Sequence, residues 1–407
     1  MVARNRLKLF LKIIFVCLSV SLVPVLVQNQ GSKIKNSTID HVFSSILDCK
    51  PSLFHEVLIC FPVREFSEII TGQVVFRNNV SRVDMVGILS DLHHTAGASW
   101  EDPCAESEDK KECGNTYIFK FHPPPVSGIY NLKILWLCNF DGAKFVRQKR
   151  VIYNAPINFT RVSKIKPTQI DQPMTDFSLK KVLDKLYNLN KVRTIFFVGD
   201  SHMRKLFEHS LYLLTGYAQD FKKEIDIRTH YKLIELVYLK IEGIYDNGEF
   251  GCIGRGKFTG RVKFEPHGMK VNDIVLISEA HWTMAFCEKD KYSAYKYYLP
   301  KFLDFYSLEN QKRKVFVTSP PWNSLFGRNT CKRRTNINLS WSNQIGASIA
   351  RERKWNIFDA WSLLMPLYDT GCDPAHFSCV KMKGKRNIIY GTDIIVVNAL
   401  WHYLSTF

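Results

Sequence analysis

At 407 residues the chain is long enough for about two domains of 100–200 residues each. It is 46% hydrophobic, 13% aromatic and 23% charged, ordinary globular proportions that exclude a low-complexity disordered chain and a multi-pass membrane protein. Fifty-six Lys and Arg against 38 Asp and Glu leave a formal charge of +18, which points to an acidic partner: nucleic acid, anionic lipid or acidic glycan.

The amino end carries Arg4, Arg6, Lys8 and Lys12, and Ile13 to Val27 then run without a charge. If Lys12 snorkels, residues 1–30 read as a signal anchor, a single transmembrane helix with its basic end in the cytosol. A cleaved secretory signal is the alternative, but Val25 and Val27 stand where small residues precede a cleavage site. Either reading sends the rest of the chain into the secretory pathway. Cys17 apart, ten cysteines remain, at 49, 60, 104, 113, 138, 252, 287, 331, 372 and 379. An even set beyond an export signal predicts disulfides. Sequons at Asn36, Asn79, Asn158 and Asn338 predict glycosylation on the same side of the membrane. No nucleic-acid partner is then expected, and the basic charge points to acidic glycan or a membrane surface.

Residues 31–48 read as a polar stalk. From 49 to 155 short runs alternate apolar and polar residues between turn signals: 58–62, 72–77, 85–89, 117–121, 128–137 and 145–153. Six or seven such strands with nearby cysteines predict an immunoglobulin-like β-sandwich, with an irregular disulfide-stapled β region as the alternative. Residues 156–190 form a linker with Pro156, Pro167 and Pro173, then a lead-in helix whose apolar face is Leu179, Val182, Leu183 and Leu186. From 191 to 407 the texture is α/β. Thr194–Val198, Asp273–Ile277 and Lys314–Thr318 are continuous apolar runs typical of parallel strands buried on both faces. Helical stretches such as Met203–Leu214 separate them, and 393–404 closes the chain.

Val198-Gly-Asp-Ser-His-Met-Arg204 joins a buried strand to a helix. Ser201 there stands at the carboxyl end of a parallel strand, where open α/β sheets hold their sites and where helix N–H groups favour an oxyanion. It reads as a helix N-cap or as a nucleophile. Gly371-Cys-Asp-Pro-Ala-His-Phe377 places Asp373 and His376 three residues apart on a turn. This is a surface turn or, taken with Ser201, the acid and base of a serine triad.

These two segments resemble the PC-esterase branch of the SGNH (GDSL-like) hydrolases. Within it the chain is most similar to the neurexophilin-and-PC-esterase-domain proteins. Trichome-birefringence-like polysaccharide O-acetyltransferases and sialic acid O-acetyltransferases are related. The resemblance implies an SGNH-like three-layer α/β/α domain over 191–407, with Ser201 as nucleophile, His376 as general base and Asp373 as its orienting partner. It implies an acyl-serine mechanism on carbohydrate O-acetyl groups, without cofactor or metal, and an oxyanion hole from the amides of Ser201 and a glycine. Gly248, Gly251, Gly254 and Gly256 compete for that glycine, and Gly251 is chosen. Relatives carry Asn-x-Gly-His-Trp where this chain has Ser278-Glu-Ala-His-Trp282. His281 and Trp282 match as substrate-binding residues, whereas Ser278 replaces the Asn donor, a loss on the order of 10²–10³ in rate for such a donor. A lumenal glycan- or protein-binding protein with a decayed oxyanion hole is therefore the second reading.

A metallophosphoesterase is suggested by Asp91-Leu-His93 and by Asp200 with Arg204, but no Gly-Asn-His-Asp/Glu segment follows. With no Cys-x-x-Cys pair, a zinc site is not expected, and His202, His281 and His402 read as structural. Basic clusters at Lys312–Lys314, Lys332–Arg334, Arg351 to Lys354 and Lys381 to Arg386 suit a solvated surface or an acidic ligand. The expectation is a type II Golgi protein, or a secreted one, with a carbohydrate substrate and a separate acyl-donor protein.

Overall fold

The computed structural model describes residues 47–52, 56–62, 70–77, 83–92, 95–102, 105, 115–121, 127–140, 145–159, 179–218, 226–241, 243–244, 250, 252, 268–287, 290–322, 335–371, 376–383 and 386–407. The chain is mixed α/β and divides into two compact units. The first draws on Met1–Ser81, Met85–Leu137 and Gln148–Met174, the second on Arg82–Asp84, Cys138–Arg147 and Thr175–Phe407, as far as these are described.

Among the described residues nine strands precede the first helix: β1 (Leu47–Pro51), β2 (Val57–Pro62), β3 (Ile70–Phe76), β4 (Val83–Ser90), β5 (Thr95–Gly97), β6 (Ser99–Glu101), β7 (Thr116–Phe121), β8 (Gly128–Phe140) and β9 (Phe145–Phe159). They form two sheets, ordered β1-β2-β3-β7-β6 and β5-β4-β8-β9. Period-two sequence makes one face of each strand apolar. Along β3 and β7 buried and partly exposed residues alternate, and the buried set includes Val74, Phe76, Phe119 and Phe121. Aromatic rings join the sheets, with Phe76 edge-on to Trp136 at 5.1 Å and Phe61 against Tyr153 at 5.4 Å. Cys49 and Cys60 face each other across β1 and β2 and are disulfide-bonded. Strand β9 runs on through Pro156, beyond the boundary expected at 155. It lies at the end of its sheet, where a missing N–H is tolerated.

The second unit is built on a six-stranded sheet of β10 (Thr194–Gly199), β11 (Asp226–Tyr231), β12 (Ile234–Lys240), β13 (Ile274–Ser278), β14 (Lys314–Val317) and β15 (Asn356–Phe358). The order is β11-β12-β10-β13-β14-β15. All neighbours run parallel except β11 against β12. Its helices are α1 (Leu179–Asn188), α2 (Ser201–Thr215), α3 (His281–Phe286), α4 (Lys291–Phe305), α5 (Asn336–Glu352), α6 (Ala360–Leu364) and α7 (Asp393–Leu404), and a hairpin of β16 (Ser378–Lys383) and β17 (Arg386–Gly391) precedes α7. Strand β10 is apolar throughout because both its faces are covered. Ile195 and Phe197 share a core with Leu183 and Leu186 of α1, Phe207 of α2 and Trp401 of α7. On the alternate set of strand residues, Gly346 of α5 lies so near Phe316 that a Cβ would stand 2.7 Å from its ring.

All six cysteines among the described residues are disulfide-bonded; Cys252 pairs with Cys287. Among the described residues no helix is long and apolar enough to cross a membrane, and residues 1–30, where a signal anchor is expected, lie outside them.

Candidate functional site

The site is built from the turn between β10 and α2. Gly199 ends the strand at φ 151°, a region L side chains rarely enter, and a Cβ there would lie 2.3 Å from the Ser278 carbonyl oxygen and 2.7 Å from Met203 Cγ. Only glycine lets β13 approach this closely. Asp200, extended at φ −81° and ψ −160°, is the N-cap: its Oδ1 accepts from the His202 amide at 2.8 Å. The Tyr238 hydroxyl donates to the Asp200 and Gly199 carbonyls at 3.1 and 3.3 Å. Ser201 is therefore the first helical residue rather than the cap, and its partly exposed side chain is released from the commonest role of a serine at a helix start.

Strand β13 repeats this arrangement one strand over. Ile195 to Gly199 pair in register with Ile274 to Ser278, and the same offset sets Asp200 beside Glu279 and His202 beside His281. The two imidazoles stack with centroids 4.1 Å apart. His376 also stands near His202, its ring tilted with centroids 5.6 Å apart. Thus the proposed base, far along the chain, comes to the residue next to Ser201. The loop after β14 closes the back of the group. His281 Nε2 donates to the Pro320 carbonyl at 2.9 Å, Trp322 lies 5.9 Å from the His281 ring, and the Ser278 and Ser319 hydroxyls are 3.4 Å apart. Two asparagines of α5 clamp that loop by paired backbone hydrogen bonds, Asn343 at Ser319 and Asn336 at Trp322.

Glu279 is wholly buried. Its carboxyl receives the Thr283 amide at 3.2 Å and the Thr283 hydroxyl at 3.0 Å. Burial, and then the charge of Asp200, push its pKa from 4.5 to about 8. Four further ionisable groups lie buried along α2. Glu208 pairs with Lys205 at 2.6 Å and Arg204 at 3.3 Å. Among the described residues neither ring nitrogen of His209 has a hydrogen-bond partner; burial and the nearby Lys205 charge lower its pKa to about 3, so it is neutral.

Of the residues singled out from sequence, Ser201, Ser278, His281 and His376 gather here. Trp282 lies in the first turn of α3 and stacks on Phe286 at 4.9 Å. His281 is buried, and its held Nε2 makes it a brace for His202 more than a sugar contact. Asp373 and Gly251 lie outside the described residues, as do Asn36, Asn79 and His93. Asn158 is exposed on β9. Asn338 is buried, its amide donating to the Tyr292 hydroxyl at 2.8 Å and accepting from Lys291 at 2.9 Å, so a glycan there would displace both partners. Sequence reasoning missed Asp200 as the cap, Glu279, and the Ser319–Trp322 loop. Asp200 carried a signal, since Asp caps as well as Ser. Among the described residues no group of three or more His, Cys, Asp and Glu is arranged to hold a metal.

No family model matches the chain, and no curated protein matches it. Among solved structures it aligns with a purple acid phosphatase from yellow lupin (Lupinus luteus) seeds. The identity is 9%, over 68% of this chain and 55% of that one, and the TM-score is 0.17. So low a score carries no argument about fold or chemistry.

Proposed function

We propose that this chain is a serine-dependent acyl-esterase or O-acyltransferase of the secretory pathway, acting on carbohydrate O-acetyl groups. In this reading the second unit is an SGNH-like α/β/α domain of the PC-esterase branch and the first an immunoglobulin-like sandwich. The observation that carries it is the meeting of His376 with His202 beside a serine freed from capping by Asp200. His376, oriented by Asp373, takes the proton of Ser201 as its Oγ attacks the acyl carbon. The amides of Ser201 and Gly251 and the hydroxyl of Ser278 donate to the oxyanion. Collapse breaks the ester bond, and His376 returns the proton to the departing sugar oxygen. Water then releases acetate from Ser201, or a sugar hydroxyl accepts the acetyl group. Trp282 offers an aromatic plane to the sugar, the acyl donor is presented by a separate protein, and the basic surface favours an acidic glycan. No cofactor takes part. The disulfides support a lumenal setting, with residues 1–30 as a type II Golgi anchor or, alternatively, a removed signal.

A second reading, an SGNH-fold protein that binds glycan or protein with little turnover, is favoured by Ser278, buried and turned toward Ser319 where relatives place an Asn. A serine-reactive fluorophosphonate separates the two. Labelling mapped to Ser201, with acetyl-ester hydrolysis falling on the order of 10⁴-fold in Ser201→Ala, supports the enzyme. No labelling, and glycan acetylation unchanged by Ser201→Ala, leaves the binding protein.

A further inference from the structure

At the edge of the sheet opposite the site, the structure assigns a membrane-docking surface for anionic phospholipid. Strands β12, β10, β13, β14 and β15 run parallel, so the segments entering them lie along one rim. Five strands spaced about 4.8 Å apart make that rim about 20 Å long. The entering segments carry Lys232, then Lys191 and Arg193, Lys270, Lys312 and Arg313, and Arg353 and Lys354.

Hydrogen bonds sew these segments into one surface. The Arg193 carbonyl accepts from Glu235, and the buried Asp273 carboxylate accepts from the amides of Arg193 and Thr194 at 3.3 and 3.0 Å and of Lys270 at 2.8 Å. The Arg313 carbonyl accepts from Val275, and Lys314 Nζ donates to the Arg353 carbonyl at 3.2 Å. Asp184 neutralises Lys232 and Asp304 neutralises Arg353. Glu309 and Glu352 stand exposed nearby. Lys191, Lys270, Lys312 and Lys354 are exposed and form no ion pair among the described residues. Lys191, Lys232 and Lys354 occupy left-handed backbone positions, φ 57°, 54° and 58°, which glycine or asparagine fills more easily. Among the described residues Lys191 and Lys354 thus keep unpaired charge on this rim at positions that glycine fits better.

Aliphatic tips decide the partner. Leu189, Leu233 and Val271 are 70%, 61% and 47% exposed, and each adjoins one of these lysines. A polyanionic glycan offers nothing to an aliphatic tip, and sugar faces stack on aromatic planes. A bilayer takes both groups, phosphate on the lysines and acyl-chain boundary on the tips. Docked by this rim, the second unit turns the carboxyl ends of its strands, and hence Ser201, away from the lipid. The inference is independent of the chemistry proposed for that site, and in a lumenal setting it requires a lumenal or extracellular leaflet that carries anionic phospholipid.

The N-terminal apolar run would bring the chain to vesicles by itself, so the test reads local amide protection. The full chain is mixed with phosphatidylcholine vesicles, with or without phosphatidylserine, and hydrogen exchange is followed. Protection of 189–193, 231–234 and 269–273 on phosphatidylserine-containing vesicles is expected. Lys191→Glu/Lys270→Glu/Lys312→Glu weakens it by at least on the order of 100-fold, from roughly fivefold per lysine lost, and Leu189→Ser/Leu233→Ser/Val271→Ser also weakens it. Unchanged protection of β10 and β13 certifies folding, and Lys270→Glu alone, at about fivefold, serves should a triple variant fail that check. Equal protection without phosphatidylserine, insensitivity to these variants, or protection by soluble heparin and not by vesicles overturns the proposal.

Discussion

Replacing Glu279 with Gln keeps the shape of the side chain and removes its exchangeable proton. The folded chain holds that proton up to about pH 8, because the carboxyl is buried beside Asp200, whereas the unfolded chain releases it near 4.5. Above 4.5 the unfolded state therefore binds fewer protons, and stability falls as pH rises until the folded group also ionises. The slope is about 1.4 kcal/mol per pH unit, about 5 kcal/mol over the window. That is a large part of the 5–15 kcal/mol or so typical of a domain. In Glu279→Gln the amide oxygen can still accept the Thr283 N–H, and the amide nitrogen can donate to the Thr283 hydroxyl. Urea unfolding of the oxidised protein at pH 5 and pH 8 is the assay. The wild type should lose several kcal/mol more than the variant between the two. Parallel curves for the two proteins would show that Glu279 is already ionised in the folded chain and refute the reasoning.

The opposite limb belongs to His209, which is neutral when folded. Below 6.5 the unfolded chain gains a proton the folded chain refuses, so stability is lost as pH falls toward 3. His209→Leu should remove about 2 kcal/mol of the wild type's loss between pH 6.5 and 5 in the same assay, and an unchanged acid limb would count against its burial. Gly199→Ala should destabilise by about 3 kcal/mol or more and abolish fluorophosphonate labelling, since its Cβ meets the Ser278 backbone carbonyl as well as the Met203 side chain, and the backbone contact cannot be relieved by a rotamer change. Lys354→Gly should stabilise by about 1 kcal/mol in thermal melts. Lys354 is the left-handed residue of a Schellman ending of α5, with Trp355 N–H on Ala350 and Lys354 N–H on Arg351, both at 2.9 Å.

Strands buried on both faces were the most legible elements, since a run such as Thr194–Val198 has no other economical placement. The β runs of the first unit were equally legible from their alternation, and α1 from its apolar stripe. Less visible were β11 and the β16–β17 hairpin. Asp226-Ile-Arg-Thr-His-Tyr231 is an outer strand with polar residues on much of its length, and the lysines of β16 read as a surface cluster. Within the site, Ser201 and His376 were found from residue type and spacing. Asp200 and Ser201 are both good caps, and only the backbone angles separate them. Glu279 could not have been found, because a lone Glu after a strand is ordinarily exposed and its burial depends on α3, α4 and the neighbouring strand together.

The residue-for-residue pairing of β10 with β13 bears on how the length of this chain can change. Both site histidines are counted out from the same ladder of hydrogen bonds. A single-residue deletion inside β13 would set His281 opposite Ser201 instead of His202, one inside β10 would set it opposite Met203, and either would turn the apolar side chains beyond it to the other face of the sheet. The same deletion between Lys240 and Ile274 leaves the ladder intact. Inserted or lost residues can therefore accumulate between the strands, while the distance from each strand to its histidine is held to a fixed count.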